Sequence, residues 1–335
     1  MSALQTFPAS SLRENDDYPE LFIAYTTHGK LNRAADNVIL FPTYYTGTHS
    51  DNERLIGNGR ALDTDKYFIV VPNLIGNGVS SSPGNTSAPL NGANFPRYTI
   101  HQNVLAQQQL LQTLGVNKIK LAVGWSMGGL QAYHWCVHQP AIVERALIIC
   151  ATAKTSIHNH VFLDGVKTAL TADSTFDNGH YQAPPATGLK AFARVYAGWA
   201  YSQDFFRGEH FRDLGFDTAE ALLQDWEVDH LGYDANDLLC ALDTWQTADI
   251  GNHPDFQGNT SAALNSIQSK VWLMPCEQDL YFRHEDNREE LRHLRNAEYR
   301  GYQSVYGHCS AGPGRFDQET ALIESTIAEL LQSDI

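Results

Sequence analysis

Ile119-Lys120-Leu121-Ala122-Val123-Gly124-Trp125-Ser126-Met127-Gly128-Gly129-Leu130-Gln131-Ala132 is the stretch whose reading decides the fold. Its opening, Ile119 to Val123, is short and apolar, as a strand buried on both faces requires. Its end runs on from Leu130 to His138 without a breaker and reads as a helix. Between the two lies G-x-S-x-G. That pattern is weak by itself, but a strand before it and a helix after it make it specific. A serine on a sharp strand-to-helix turn is held in a strained backbone conformation, with its hydroxyl exposed at the carboxyl end of a sheet. Glycines two positions to either side are needed because a side chain there would meet neighbouring backbone. The N–H of Met127, at the helix N-terminus, can then face a developing oxyanion.

Further strands are expected at Leu21–Thr26, 37–42, 67–72, 145–150, 270–275 and 298–305, each a short run rich in aliphatic residues. Helical segments lie between them. His101 to Leu114 is one, stopped by Gly115, and Asp317 to Leu331 closes the chain. Strands alternating with helices imply a mostly parallel central sheet flanked by helices, an α/β fold. The rhythm breaks between Cys150 and Lys270, where helix-like stretches such as Gly188 to Phe206 and three tryptophans occur. We read 1–151 and 266–335 as the core domain and 152–265 as a helical lid insertion. A second small domain packed over the sheet is the other reading.

A serine hydroxyl is a poor nucleophile at neutral pH and needs a base, which in turn needs an orienting acid. In the fold that carries this elbow the order is Ser, Asp or Glu, then His, each on a loop after a strand. Cys276-Glu277-Gln278-Asp279 follows one strand and Tyr306-Gly307-His308 follows the last. The expected set is therefore Ser126, Asp279 and His308, with Glu277 as the alternative acid. A second oxyanion donor should come from the loop Pro42-Thr43-Tyr44-Tyr45-Thr46-Gly47, with Tyr44 and Tyr45 both open.

Composition narrows the partners. The 335 residues carry 23 basic and 38 acidic side chains, a net charge of −15, with the acids spread along the chain. Phosphate backbones and anionic lipid repel such a surface, so neither nucleic acid nor membrane is expected to bind. No apolar run approaches the ~18 residues of a membrane span, and the first residues lack a signal-peptide pattern. The five scattered cysteines, without CxxC, point to free thiols and a reducing cytoplasm. The fourteen histidines are read as holding no HExxH or other ligand-spaced pair, and no metal or resident cofactor is expected.

Several blocks together resemble the homoserine O-acetyltransferase family of α/β-hydrolases. They are Ala24-Tyr25-Thr26-Thr27-His28-Gly29-Lys30-Leu31-Asn32, Leu62-Asp63-Thr64-Asp65-Lys66-Tyr67-Phe68, Pro72-Asn73-Leu74-Ile75-Gly76, Phe95-Pro96-Arg97-Tyr98-Thr99-Ile100, Ser126-Met127-Gly128-Gly129-Leu130-Gln131-Ala132 and Asp279-Leu280-Tyr281. Gly188-Leu189, Arg194 and Tyr201 resemble the lid helix that contacts substrate in that family. The resemblance implies an α/β-hydrolase fold, an acyl-enzyme at Ser126, acetyl-CoA as a possible co-substrate, and a homodimer built through the lid.

The sequence also departs from the family. Cys309 stands after His308 where homoserine acetyltransferases have an aspartate that helps hold the amino-acid substrate, and a neutral thiol cannot pair with an ammonium group. Trp125 replaces a glycine before the serine, and the Tyr44-Tyr45 loop is one residue longer than its counterpart. Arg194, Tyr201, Trp125 and Cys309 are the candidate substrate-binding residues; a lid salt bridge is the competing role for Arg194. These departures favour hydrolysis of small acyl esters. O-acetyl transfer from acetyl-CoA to homoserine, serine or another hydroxylated acceptor is the second reading, and a non-catalytic binding protein the third.

Overall fold

The computed structural model describes residues 3–9 and 21–335. Eight strands form one sheet: β1 (Gln5–Pro8), β2 (Phe22–His28), β3 (Val38–Leu40), β4 (Phe68–Pro72), β5 (Ile119–Trp125), β6 (Arg145–Ile149), β7 (Lys270–Met274) and β8 (Ala297–Tyr299). Their spatial order is β1-β2-β4-β3-β5-β6-β7-β8. The first two pairings, β1 with β2 and β2 with β4, are antiparallel, and the rest are parallel. The mostly parallel sheet expected from the sequence is therefore present. Two strands differ from expectation. Gln5–Pro8 is a largely exposed edge strand without an apolar run to signal it. The last strand covers three residues, and the expected stretch up to Val305 continues only as an isolated bridge between Cys276 and Tyr302.

Alternation along each strand splits the core between the two faces of the sheet. Val38, Leu40, Val70, Ala122, Ala146, Ile148, Val271 and Leu273 point to one side. Ile39, Phe41, Ile69, Val71, Leu121, Val123, Leu147, Ile149, Trp272 and Met274 point to the other. Burial on both faces explains why the central strands read as continuous apolar runs. After a short α1 (His49–Asn52), the first face is covered by α2 (Ile100–Thr113) and α3 (Met127–His138). Thr99 caps α2 through a reciprocal box with Gln102, and Gly115, at φ 76°, ends it.

Between β6 and β7 the chain is helical: α4 (Ile157–Thr171), α5 (Ala186–Ala200), α6 (Gln203–Arg207), α7 (Ala219–His230), α8 (Ala235–Gln246) and α9 (Thr260–Ser266). The stretch expected as one helix to Phe206 breaks at Tyr201, because the Ser202 hydroxyl accepts the Phe205 N–H as a new N-cap and donates to the Val305 carbonyl at 2.6 Å. Two more helices follow, α10 (His284–Leu291) and α11 (Asp317–Gln332), the latter packing Ile323, Ile327 and Leu330 on the second face. Among the described residues no helix is long and apolar enough to cross a membrane.

Backbone segments approach one another closely where α3 leaves β5. A Cβ on Gly128 would stand 2.6 Å from the Pro42 carbonyl oxygen, and one on Gly124 would stand 2.1 Å from the Gly128 carbonyl carbon. Backbone cannot yield there as a flexible side chain would. Gly128→Ala is expected to lower stability by about 1–3 kcal/mol, measurable by denaturant unfolding; an unchanged midpoint would show that α3 can shift away from Pro42 without cost.

Candidate active site

Ser126 sits on the turn between β5 and α3 with φ 56° and ψ −128°, a conformation a non-glycine residue adopts only when its surroundings enforce it. The hydroxyl is nearly buried, at 2% residue exposure. His308 approaches it from the 3₁₀ turn Gly307–Ala311, with Nε2 2.9 Å from Ser126 Oγ. On the other side of the ring, Nδ1 lies 2.7 Å from Asp279 Oδ2. Asp279 is fully buried, and its Oδ1 accepts the backbone N–H groups of Tyr281 at 2.7 Å and Phe282 at 3.2 Å. Fixed donors of this kind hold a carboxylate in one orientation.

Aromatic rings hold the imidazole in place. Trp125 stacks on His308 at 5.1 Å between centroids, and Tyr281 and Phe282 pack against it at 4.6 and 5.6 Å. The alternative acid, Glu277, faces away. It accepts from Tyr299 at 3.2 Å and pairs with Arg288 at 3.3 Å on the outer surface, and hydrogen bonding from Gln303 helps hold its carboxyl below the ordinary range. The structure thus brings Ser126, His308 and Asp279 together and leaves Glu277 out.

The loop after β3 is fixed from three directions. Asn52 donates to the Phe41 carbonyl at 2.9 Å, Gln131 to the Thr43 carbonyl at 2.8 Å, and the Leu74 N–H to the Thr43 hydroxyl at 3.0 Å. Among the described residues the backbone N–H groups of Tyr44, Tyr45 and Met127 are given to no protein acceptor. The two tyrosine side chains diverge. Tyr44 packs on Trp125 at 4.3 Å, whereas Tyr45 stacks on Tyr196 and donates its hydroxyl to the Leu238 carbonyl.

Ser126 and His308 open into a cavity of about 290 Å³ lined also by Tyr44, Tyr45, Trp125, Tyr196, Trp226, Tyr281, Cys309 and Arg315. Three carboxylates, Asp51, Asp225 and Asp229, share the lining. Cys309 is 4% exposed, and burial pushes its thiol up, so it enters the cavity as a neutral group.

Two expected contacts fall elsewhere. Arg194 is on α5 but not in the cavity lining. Its guanidinium is taken by Glu220, at 2.6 Å, and by Glu227, both on α7. The competing role, a salt bridge between helices of the insertion, is the one the structure shows, because two carboxylates on α7 satisfy the fork that a substrate carboxylate would need. Tyr201 is fully buried and stacked on Phe205, outside the cavity lining, and it touches lining residues, among them Arg315, whose guanidinium donates to its hydroxyl at 2.9 Å, and Trp226.

Arg315 escaped the sequence reading. It follows the Gly312-Pro313-Gly314 turn, and nothing in so short a motif marks its side chain as inward-facing. Among the described residues it is the only Lys or Arg lining the cavity, and it makes no ion pair there. Tyr196 and Trp226 were equally invisible, because aromatic residues on helices ordinarily signal core.

Residues 36–235 match the family described as alpha/beta hydrolase fold. The chain is 36% identical to the ethyl acetate hydrolase of Pseudomonas veronii, over 96% of this chain and 93% of that protein. It is 30% identical to the homoserine O-acetyltransferase of Chloroherpeton thalassium, over 87% of this chain and 79% of that one. A solved acetylester hydrolase from Corynebacterium glutamicum superposes with a TM-score of 0.93 at 32% identity, covering 99% of this chain and 96% of that one. The protein therefore belongs to the alpha/beta hydrolase fold family, among serine ester hydrolases and acyltransferases that include homoserine O-acetyltransferase relatives.

Proposed function

We propose that the protein hydrolyses small acyl esters, acetyl esters foremost, through an acyl-enzyme on Ser126. The observation that carries this reading is the continuous hydrogen-bond path from Ser126 Oγ through His308 to Asp279, opening into a small cavity. His308 Nε2 takes the hydroxyl proton as Oγ bonds to the ester carbonyl carbon. The Met127 N–H, with that of Tyr44 or Tyr45, receives the charge that develops on the carbonyl oxygen. As the tetrahedral species collapses, the alkoxide leaves with the proton held by His308. Water then attacks the acyl-enzyme with His308 as base, and the free acid departs. Asp279 fixes the imidazole tautomer and stabilises the imidazolium in both halves.

Two features favour water over an amino-acid acceptor. The thiol of Cys309 offers no charge to an ammonium group, and Arg194 is committed to Glu220 and Glu227 outside the cavity. A third disfavours coenzyme A as donor. Its phosphates would approach a cavity lined by Asp51, Asp225 and Asp229 on a protein of net charge −15. A cavity near 290 Å³ lies at the lower end of the ~300–1,000 Å³ typical of ligand sites, which suits a short acyl chain and a short alcohol. The name borne by the Pseudomonas veronii relative agrees with that size class.

Ser126→Ala is expected to lower kcat on p-nitrophenyl acetate by on the order of 10⁶-fold, and Asp279→Asn by on the order of 10⁴-fold. Glu277→Gln should turn over like the parent; a crippled Glu277→Gln would move the acid to that position. In a paired assay, ethyl acetate should be hydrolysed, while thiol release from acetyl-CoA should not rise when homoserine or serine is added. Acceptor-stimulated thiol release would make transfer the physiological reaction. Arg194→Ala should leave KM unchanged for neutral and carboxylate-bearing esters alike, and a rise confined to the carboxylate-bearing ones would bring Arg194 back to the substrate.

A further inference from the structure

At the corner where α2, α3 and the loop preceding α9 meet, four histidines converge that the site at Ser126 does not use. His101 is in the first turn of α2, His134 and His138 are on α3, and His253 is in the loop. The α3 pair is spaced i, i+4, which places both rings on one face. A pair spaced to share a ligand is thus present, contrary to the reading of the sequence, which found none. His138 occupies the centre. Its ring centroid is 4.1 Å from that of His101, 4.5 Å from that of His253 and 5.8 Å from that of His134, and His101 and His253 are 5.7 Å apart. Imidazoles bound to one tetrahedral ion through nitrogens at about 2.0–2.1 Å have ring centres roughly 5 Å apart; His101, His138 and His253 lie either side of that spacing, while His134 is in ring contact with His138 and would have to move furthest.

Three further facts favour a ligand at this corner. His134 is 3% exposed, and neither of its ring nitrogens has a protein partner; buried polar atoms without protein partners call for partners of another kind. Burial and the neighbouring imidazoles lower the pKa of His101 and His134 and bring that of His138 to about 3, which keeps the rings neutral. Asp255 places a carboxylate oxygen 3.5 Å from His253 Nδ1, close enough to accept that nitrogen's proton in a hydrogen bond and so orient the far nitrogen toward a metal once Nδ1 no longer accepts the Asp255 N–H.

We propose that this corner binds one borderline divalent transition-metal ion, of the zinc, cobalt, nickel and copper class, through His101, His138 and His253, with His134 as fourth ligand. Imidazole nitrogen is the donor such ions prefer, whereas calcium and magnesium take oxygen. The ion acts as a cross-link between α2, α3 and the segment leading into α9, and takes no part in ester chemistry. Its binding requires the rings to turn, because no three of their donor nitrogens now lie within 4.8 Å of one another. His101 Nδ1 and His138 Nε2 are 2.6 Å apart, against roughly 3.3 Å for two ligands of one tetrahedral ion. His253 must also carry its proton on Nδ1, directed at the Asp255 carboxylate instead of accepting the Asp255 N–H as it now does at 3.2 Å. Among the described residues the set of three ligand-type side chains whose donor atoms already lie within 4.8 Å of one another is Cys150, Asp279 and His308, which includes the site's own hydrogen-bonded pair.

The test uses the full chain without an affinity tag, stripped with chelator and titrated with zinc or cobalt in a calorimeter, with thermal melting alongside. The expected result is one ion per chain at micromolar affinity or tighter, and a melting temperature that rises with metal concentration. His138→Gln should weaken binding by about 100-fold or more, and Asp255→Asn by about 10-fold, with ester turnover of the stripped variants equal to that of the stripped parent. If His138→Gln fails to fold, His101→Gln on the half-buried rim gives the same reading. No heat and no thermal shift would overturn the proposal. So would binding that survives both histidine substitutions, or binding that is lost instead in Cys150→Ser, which would place the ion beside Asp279.

Discussion

The approach of Gly128 to the carbonyl oxygen of Pro42 is the contact on which the other features depend. It sets how near the N-terminus of α3 lies to the loop after β3, and so whether two sets of backbone N–H groups can face a single oxygen atom. Gln131, one turn further along α3, bonds to the Thr43 carbonyl and holds the same gap from the side. With both ends of the gap fixed, Ser126 has no relaxed conformation available and is retained at φ 56°. The strain is local, and the surrounding sheet and helix sustain it because each is fully packed.

Charge at the site is arranged by burial as much as by pairing. Asp279 receives two backbone N–H groups and one imidazole, enough to satisfy a carboxylate that has no access to water. Around the imidazole the neighbours are rings, which restrict its rotation while adding no competing acceptor. The acids of the cavity, Asp51, Asp225 and Asp229, face the substrate space and not the imidazole's partner. Arg315 is the cation on that wall, and it is satisfied in part by a phenol, not by a carboxylate. The wall is thus charged, while the wall beside Ser126 is apolar.

Much of this was legible in the chain itself, for identifiable reasons. The parallel strands are buried on both faces, so their apolar runs are unbroken and easy to read. The serine turn, the acid loop and the histidine loop each follow a strand and keep the expected order. What escaped lies where the determinant is long-range. Gln5–Pro8 becomes a strand only because Phe22–His28 offers it an edge. The break at Tyr201 depends on a carbonyl a hundred residues away, at Val305. Arg194 was placed on the correct helix, but its direction is decided by Glu220 and Glu227, whose relation to it no local pattern encodes. Arg315 and the histidine corner are likewise assembled from separate parts of the chain.

The helical segment between β6 and β7 is stitched to both loops that serve Ser126. Ser202 donates to the Val305 carbonyl just ahead of His308, and the Tyr281 hydroxyl, two residues past Asp279, donates to the Tyr196 carbonyl at 2.8 Å. These helices are therefore not an interchangeable cap. Transplanting the corresponding helices of a relative to alter selectivity would also replace two of the anchors that align base and acid. A graft succeeds only if it carries a hydroxyl at position 202 and keeps the backbone of position 196 in place, so selectivity is more safely reshaped at cavity-lining side chains away from both anchors, Asp225, Trp226 and Asp229.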